Sequence, residues 1–153
     1  MKSGDVLGHE FMGEVVEVQS SSTLEIGDRV IVPFNIACGN CSYCGEHKFS
    51  LCDNSNPNAT LNEKFYGYPT SALFGYSHLY GGYHGGQAEY VRVPFSDVGP
   101  LKMPDSLPDE KVLFHTDIFR RAIKPPNNAA SKAAISSRFG ARGRLVSLRF
   151  AVR

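Results

Sequence analysis

Cys38, Cys41, Cys44 and Cys52 stand in the pattern C-x2-C-x2-C-x7-C, and the chain holds no other cysteine. A thiolate is a good zinc ligand, and structural zinc takes four ligands in a tetrahedron. Four sulfurs spread over fifteen residues can all reach one ion. The competing reading is four buried or disulfide-paired thiols. Disulfides across C-x2-C spacing are mainly redox motifs, and a thioredoxin-like site has one such pair in a βαβ context. Here three cysteines recur at every third residue, and the fourth follows in a polar, turn-rich loop. That favours structural zinc. A site closed by four sulfurs leaves no position for substrate, so this ion is expected to staple its lobe and perform no chemistry.

Gly8-His9-Glu10 is the second pattern with chemical potential. A histidine beside a carboxylate can bind a metal while the carboxylate tunes it. Alone, the dipeptide reads as an ordinary surface or capping pair, and it gains weight only from company. Asp117 is one candidate for that company. The remaining histidines, His47, His78 and His84, read as loop hydrogen-bonders. Tyr66, Tyr68, Tyr76, Tyr80 and Tyr83 read as loop packing rather than substrate contacts.

The elements that must position these residues are short. Phe11 to Val18, with Val15, Val16 and Val18, is a strand candidate. Leu24-Glu25-Ile26-Gly27-Asp28 is a turn. Arg29-Val30-Ile31-Val32-Pro33 is a second strand, β-branched and ended by proline. The cysteine lobe runs from Ala37 to about Asn58 and should be irregular. Tyr66 to Gly86 reads as a long Gly/Tyr loop. Gln87 to Pro94 alternates like a strand. Leu101 to Pro104 is extended, and Pro108 to Leu113 looks like the first turn of a helix, with its acids near the positive end of the dipole. Val15, Val16, Val30, Ile31 and Val91 are the expected core.

Composition narrows the function classes. Of 153 residues, 42% are hydrophobic and 20% charged, ordinary values for a globular chain. A net charge of +1 gives no global field toward nucleic acid or a membrane surface. No apolar run approaches the roughly 20 residues that span a bilayer. The first residues carry no signal-peptide core, so a cytoplasmic protein is expected. The cysteine lobe contributes one basic residue, Lys48, and no recognition-helix pattern, which argues against a nucleic-acid-binding zinc module.

Taken together, these residues resemble a known family. Gly8-His9-Glu10-Phe11-Met12-Gly13-Glu14-Val15-Val16-Glu17-Val18, Gly27-Asp28-Arg29-Val30 and the four-cysteine lobe are similar to zinc-dependent medium-chain alcohol dehydrogenases. Gly85 to Pro94 and Asp97-Val98-Gly99-Pro100-Leu101-Lys102 resemble the glutathione-independent formaldehyde dehydrogenase branch. The resemblance covers residues 1 to 119. It implies a mainly β fold: a partial GroES-like barrel with an irregular zinc lobe and few short helices, its N-terminal strands missing. It implies structural zinc on Cys38, Cys41, Cys44 and Cys52. It also implies a catalytic zinc held by Cys, His and Asp, for which His9 and Asp117 match, with Glu10 close to the metal. The family has an apolar residue and Ser where His115 and Thr116 stand. The catalytic cysteine belongs to a segment upstream of the His-Glu motif, and this chain has only eight residues before His9. Met1 then reads as an internal methionine. NAD belongs to a Rossmann domain of the intact family member, and the substrate there is a small aldehyde or alcohol. No nucleic-acid or membrane partner is implied, and an oligomer is compatible with the resemblance.

Residues 120–153 depart from the pattern. Asp and Glu are absent from Arg120 to Arg153, whereas Arg and Lys are frequent. The family would continue after Phe119 with Pro-Thr-Gly-Tyr, where this chain reads Arg120-Arg121-Ala122-Ile123. One base restored after Phe119 permits a frame reading Gly-Asp-Ile-Val-Ala-Val-Trp-Gly-Ala-Gly-Pro-Val-Gly. That is a strand followed by the dinucleotide fingerprint. The expectation is a frameshifted, non-native tail that binds no NAD, with a helix near Asn128 to Ile135 or disorder.

Overall fold

The computed structural model describes residues 1–19 and 22–117, and the backbone of strand 145–149. Among the described residues, seven strands and three short α-helices make up the fold. The strands are β1 (Phe11–Val18), β2 (Arg29–Val32), β3 (Asn35–Ile36), β4 (Ala72–Leu73), β5 (Tyr90–Pro94), β6 (Leu101–Lys102) and β7 (Leu145–Arg149). The helices are α1 (Ser42–Gly45), α2 (Ala59–Tyr66) and α3 (Asp109–Val112). Five strands form an open sheet in the order β5-β7-β1-β2-β6, and β3 pairs with β4 in a second, two-stranded sheet. The fold is therefore mostly strand, as expected, and the barrel is partial.

β1 and β2 pair antiparallel, with Phe11 opposite Val32 and Gly13 opposite Val30. Period-two alternation sends Phe11, Gly13 and Val15 to the covered face. Phe11 and Val15 join Leu24, Val30, Val32, Ile36, Ala72, Phe74, Val91 and Val93 in the main core. Phe11 and Phe74 meet edge to face, ring centres 5.1 Å apart. Burying each such apolar side chain contributes on the order of 1.5–3 kcal/mol.

Several expectations need correction. Val16 is half-buried rather than in the core, because it lies on the opposite face from Val15. The strand expected over 87–94 begins only at Tyr90. The segment 66–86 is not featureless: it holds β4 and a 3-10 turn at His78–Tyr80. Helix α2 had no counterpart in the sequence reading. It ends at Gly67, whose φ of 81° only glycine adopts without strain and whose N–H bonds Glu63 O. The helix expected near 128–135 lies outside the described residues. Within the tail, however, 145–149 forms a regular strand between β1 and β5.

Candidate metal centres

The lobe leaves β3 at Ala37 and folds back on itself through α1 and a 3-10 turn at Phe49–Leu51. The Cys41 carbonyl accepts from Gly45 N and the Ser42 carbonyl from Glu46 N, which forms the turn that carries Cys44. Cys38 and Cys52 are fully buried, Cys44 nearly so, and Cys41 partly open. The four Sγ atoms all lie within 4.8 Å of one another. A tetrahedron with zinc–sulfur bonds of about 2.3 Å has edges of about 3.8 Å. Cys41 Sγ and Cys52 Sγ already stand 3.9 Å apart. Among the described residues this is the one group of three or more His, Cys, Asp or Glu side chains gathered at such range.

Backbone donors prepare the sulfurs for negative charge. Cys38 N donates to Cys52 Sγ at 3.3 Å, and Asn40 N and Cys41 N donate to Cys38 Sγ at 3.4 Å each. Burial resists ionisation of Cys38, but the N–H donors together outweigh it and bring its pKa down to about 7. Burial pushes the Cys44 thiol upward, and the neighbouring sulfurs Cys38 and Cys52 push in the same direction. Burial likewise raises Cys41. Four sulfurs at this spacing resist sharing negative charge, and a bound dication supplies what offsets it. The donor set therefore fits zinc. A polar, open cleft of about 560 Å³ adjoins the lobe, lined in part by Cys41, Tyr43, Asp53 and Glu63. Neither His9 nor Asp117 lines it.

His9 and Asp117 come together from distant parts of the chain. His9 Nε2 stands 3.5 Å from Asp117 Oδ2, with the histidine 43% exposed and the aspartate 8%. Two ligands of one ion can stand this close, and the open side of His9 leaves room for further donors. The Phe34 ring lies edge-on to the imidazole, centres 6.0 Å apart. Glu10 follows His9 and is half-buried. Thr116, beside Asp117, is buried and donates its hydroxyl to Leu113 O at 2.8 Å. His115 is exposed.

Backbone contacts fix His9. Gly85 N bonds Val6 O, Gly86 N bonds Gly8 O, and Gln87 N bonds Leu7 O, so 85–87 runs alongside 6–8. A Cβ on Gly85 would overlap the Gly8 carbonyl, and one on Gly86 would stand 2.5 Å from Phe11 Cβ. These glycines, which lie in the expected Gly/Tyr loop, position the backbone before His9, and the glycine density of 75–86 is the sequence signal for that close approach. On the other side, Arg29 of β2 pairs with Asp109 at 3.3 Å and donates to Leu107 O, tying the start of α3 to the sheet. Asp117 lies a few residues beyond that anchor. Two of the three loop histidines hydrogen-bond as expected: His78 Nε2 meets Asp5 Oδ1 at 3.0 Å, and His84 Nδ1 accepts from Val6 N, whereas the His47 ring packs edge-on to Phe49. Of the tyrosines, Tyr83 packs on the core, whereas Tyr66, Tyr68 and Tyr76 are exposed. No described helix is long and apolar enough to cross a membrane.

Comparison with known proteins agrees with this geometry. The alcohol dehydrogenase GroES-like domain model matches residues 1–105. A zinc-type alcohol dehydrogenase-like protein of Schizosaccharomyces pombe is 44% identical over 119 residues, 77% of this chain and 28% of that protein. The glutathione-independent formaldehyde dehydrogenase of Pseudomonas aeruginosa is 45% identical over 103 residues, 67% of this chain and 23% of that protein. The solved alcohol dehydrogenase TADH from Thermus sp. ATN1 superposes with a TM-score of 0.65 at 39% identity, covering 78% of this chain and 30% of that one. The chain thus spans about a quarter to a third of the length of these relatives. It belongs to the alcohol dehydrogenase GroES-like domain family, the domain of zinc-type alcohol and formaldehyde dehydrogenases.

Proposed function

We propose that this chain is the zinc-binding GroES-like portion of an NAD-dependent alcohol or formaldehyde dehydrogenase. The observation that carries the reading is the approach of His9 to Asp117 at 3.5 Å, separate from the four-cysteine cluster. One set is closed and structural, the other small and open. In the complete enzyme His9 and Asp117 would hold the catalytic zinc with a cysteine from outside this chain. Glu10 would tune that site without binding the ion. A zinc bound there would polarise a small alcohol or aldehyde, and NAD would exchange hydride with it. As ligands, His9 would offer an imidazole nitrogen and the largely buried Asp117 a carboxylate oxygen, and the carboxylate would offset one of the ion's two charges. We place the protein in the cytoplasm, acting on small molecules and independent of nucleic acid and membrane.

A second reading is a non-catalytic zinc-binding fragment. It is favoured by the locality of the cysteine cluster: all four ligands lie within one lobe, so they can hold zinc without the rest of an enzyme. On either reading the 153-residue chain alone has no turnover. Purified chain with zinc, NAD and formaldehyde or ethanol should produce no NADH, and a measurable rate would overturn that. Residues 120–153 we interpret as a frameshifted translation. Sequencing the encoding DNA and its flanks tests this: a single-base change should restore the glycine-rich frame. The restored, complete frame should oxidise alcohol or formaldehyde with NAD and lose more than about 100-fold activity on His9→Ala or Asp117→Ala. An inactive restored enzyme would contradict the first reading.

A further inference from the structure

The cleft beside the cysteine lobe meets the four-sulfur centre at a single residue. Of the four cysteines only Cys41 lines it, and Cys41 is also the one that is not buried. The 3-10 turn at Phe49–Leu51 closes through Cys52 N to Phe49 O and returns the chain onto Cys41. Cys52 Sγ thereby stands 3.9 Å from Cys41 Sγ, and the next residue, Asp53, brings its carboxylate and its N–H to the Cys41 thiol. The opposite wall is α2, which contributes Thr60 and Glu63. That wall is fixed in place. Asn62 Nδ2 donates to Thr70 Oγ1 at 2.6 Å and to Leu79 O at 3.1 Å, and Asn58 Nδ2 donates to His78 O at 2.7 Å. Two carboxylates and no lysine or arginine line the cleft, a polarity that gathers cations.

An ion held by four sulfurs must part from one of them first when it leaves, and must meet one of them first when it arrives. Cys38, Cys44 and Cys52 are shut off from solvent, so none of these can be that sulfur. Cys41 can. A carboxylate oxygen is itself a zinc ligand, and zinc can take a fifth ligand for a short time. We propose that the cleft is the route by which zinc enters and leaves the cysteine centre, with Cys41 as the ligand that opens and Asp53 as the carboxylate that takes its place on the ion. The swap exchanges one anionic ligand for another and changes no oxidation state. These roles of Cys41 and Asp53 presuppose that the four cysteines hold zinc, which the zinc content of the unmodified chain tests by itself.

The full chain, loaded with natural zinc and mixed with an excess of a heavy zinc isotope, reports the exchange rate by native mass spectrometry. Asp53→Asn should slow exchange about tenfold, while affinity measured by chelator competition changes less than about threefold. A residue that only supported the bound ion would do the opposite: its loss would weaken binding by about 10–100-fold and speed release. Thr60→Trp, at an exposed position of α2, narrows the cleft and should also slow exchange, with one zinc kept per chain. Exchange in Asp53→Asn as fast as in the unmodified chain, or faster, would overturn the proposal, and so would Thr60→Trp exchanging at the unmodified rate. An unmodified chain without zinc would overturn the zinc reading and this route with it, whereas a zinc-loaded chain whose exchange ignores Asp53 would overturn the route alone.

Discussion

His9 Nε2 lies 3.5 Å from Asp117 Oδ2 although the two residues come from opposite ends of the described domain. Nothing local creates that approach. The glycines at 85 and 86 hold the backbone before His9, and Arg29 holds the segment before Asp117. The lobe of four cysteines is different in kind, since its ligands are close in sequence and are preset by short N–H contacts. Separate physical causes therefore assemble the two candidate centres, and they should fail independently.

Gly85→Ala should disturb the first centre and spare the second. The added methyl would overlap the Gly8 carbonyl, an overpacking that costs about 1–3 kcal/mol. Amide spectra should shift around Gly8 and His9, while zinc content stays constant. A variant with unchanged spectra and stability would show that the 6–8 backbone yields freely.

Cys38→Ser should do the reverse. Cys38 is fully buried and its sulfur accepts two backbone N–H bonds. Loss of a structural ligand belongs among the severe substitutions, above about 4 kcal/mol. Thermal unfolding should drop strongly in zinc and approach that of the chelator-treated chain. A melting temperature still sensitive to chelator by the full original amount would mean that Cys38 is not a ligand.

Zinc affinity should fall as pH falls, since each thiol must lose its proton to bind. Cys38, at about pKa 7 in the metal-free chain, contributes less to that cost than Cys41 and Cys44, which burial pushes toward the protonated form. Competition with a chromogenic chelator from pH 8 to pH 6 should show affinity falling more than about tenfold per unit. A flat profile would exclude thiolate binding.

Asp28 links the turn to the sheet. Burial resists its charge, but Lys102 at 2.6 Å and the Glu25 N–H outweigh it and hold its pKa below the ordinary 3.8. A depressed pKa contributes stability above the unfolded value, lost as pH falls through the folded one. Asp28→Asn should therefore lower stability at pH 7 by more than it does at pH 3. Denaturant titrations at the two pH values check this; an equal deficit at both would assign the effect to something other than charge.

Much of this was legible in the chain. β1 and β2 followed from β-branched alternation, and the lobe from cysteine spacing. What the sequence hid was set by distant contacts. Val16 has the same side chain as Val15 but lies on the other face of the strand. Helix α2 buries only Ala59 and Asn62, the latter bonded to Thr70 Oγ1 and Leu79 O, so it carries little apolar periodicity to read. β7 lies in a tail where the sequence suggested only a helix near 128–135 or disorder, and its place in the sheet depends on β1 and β5, which lie far away in sequence.

Zinc stoichiometry tests the division of labour most directly. Purified chain, dialysed against metal-free buffer, should retain one zinc per molecule by mass spectrometry. His9→Ala should leave that value at one, and Cys52→Ser should bring it close to zero. Zinc retained in full by Cys52→Ser, or absent from the unmodified chain, would contradict the account.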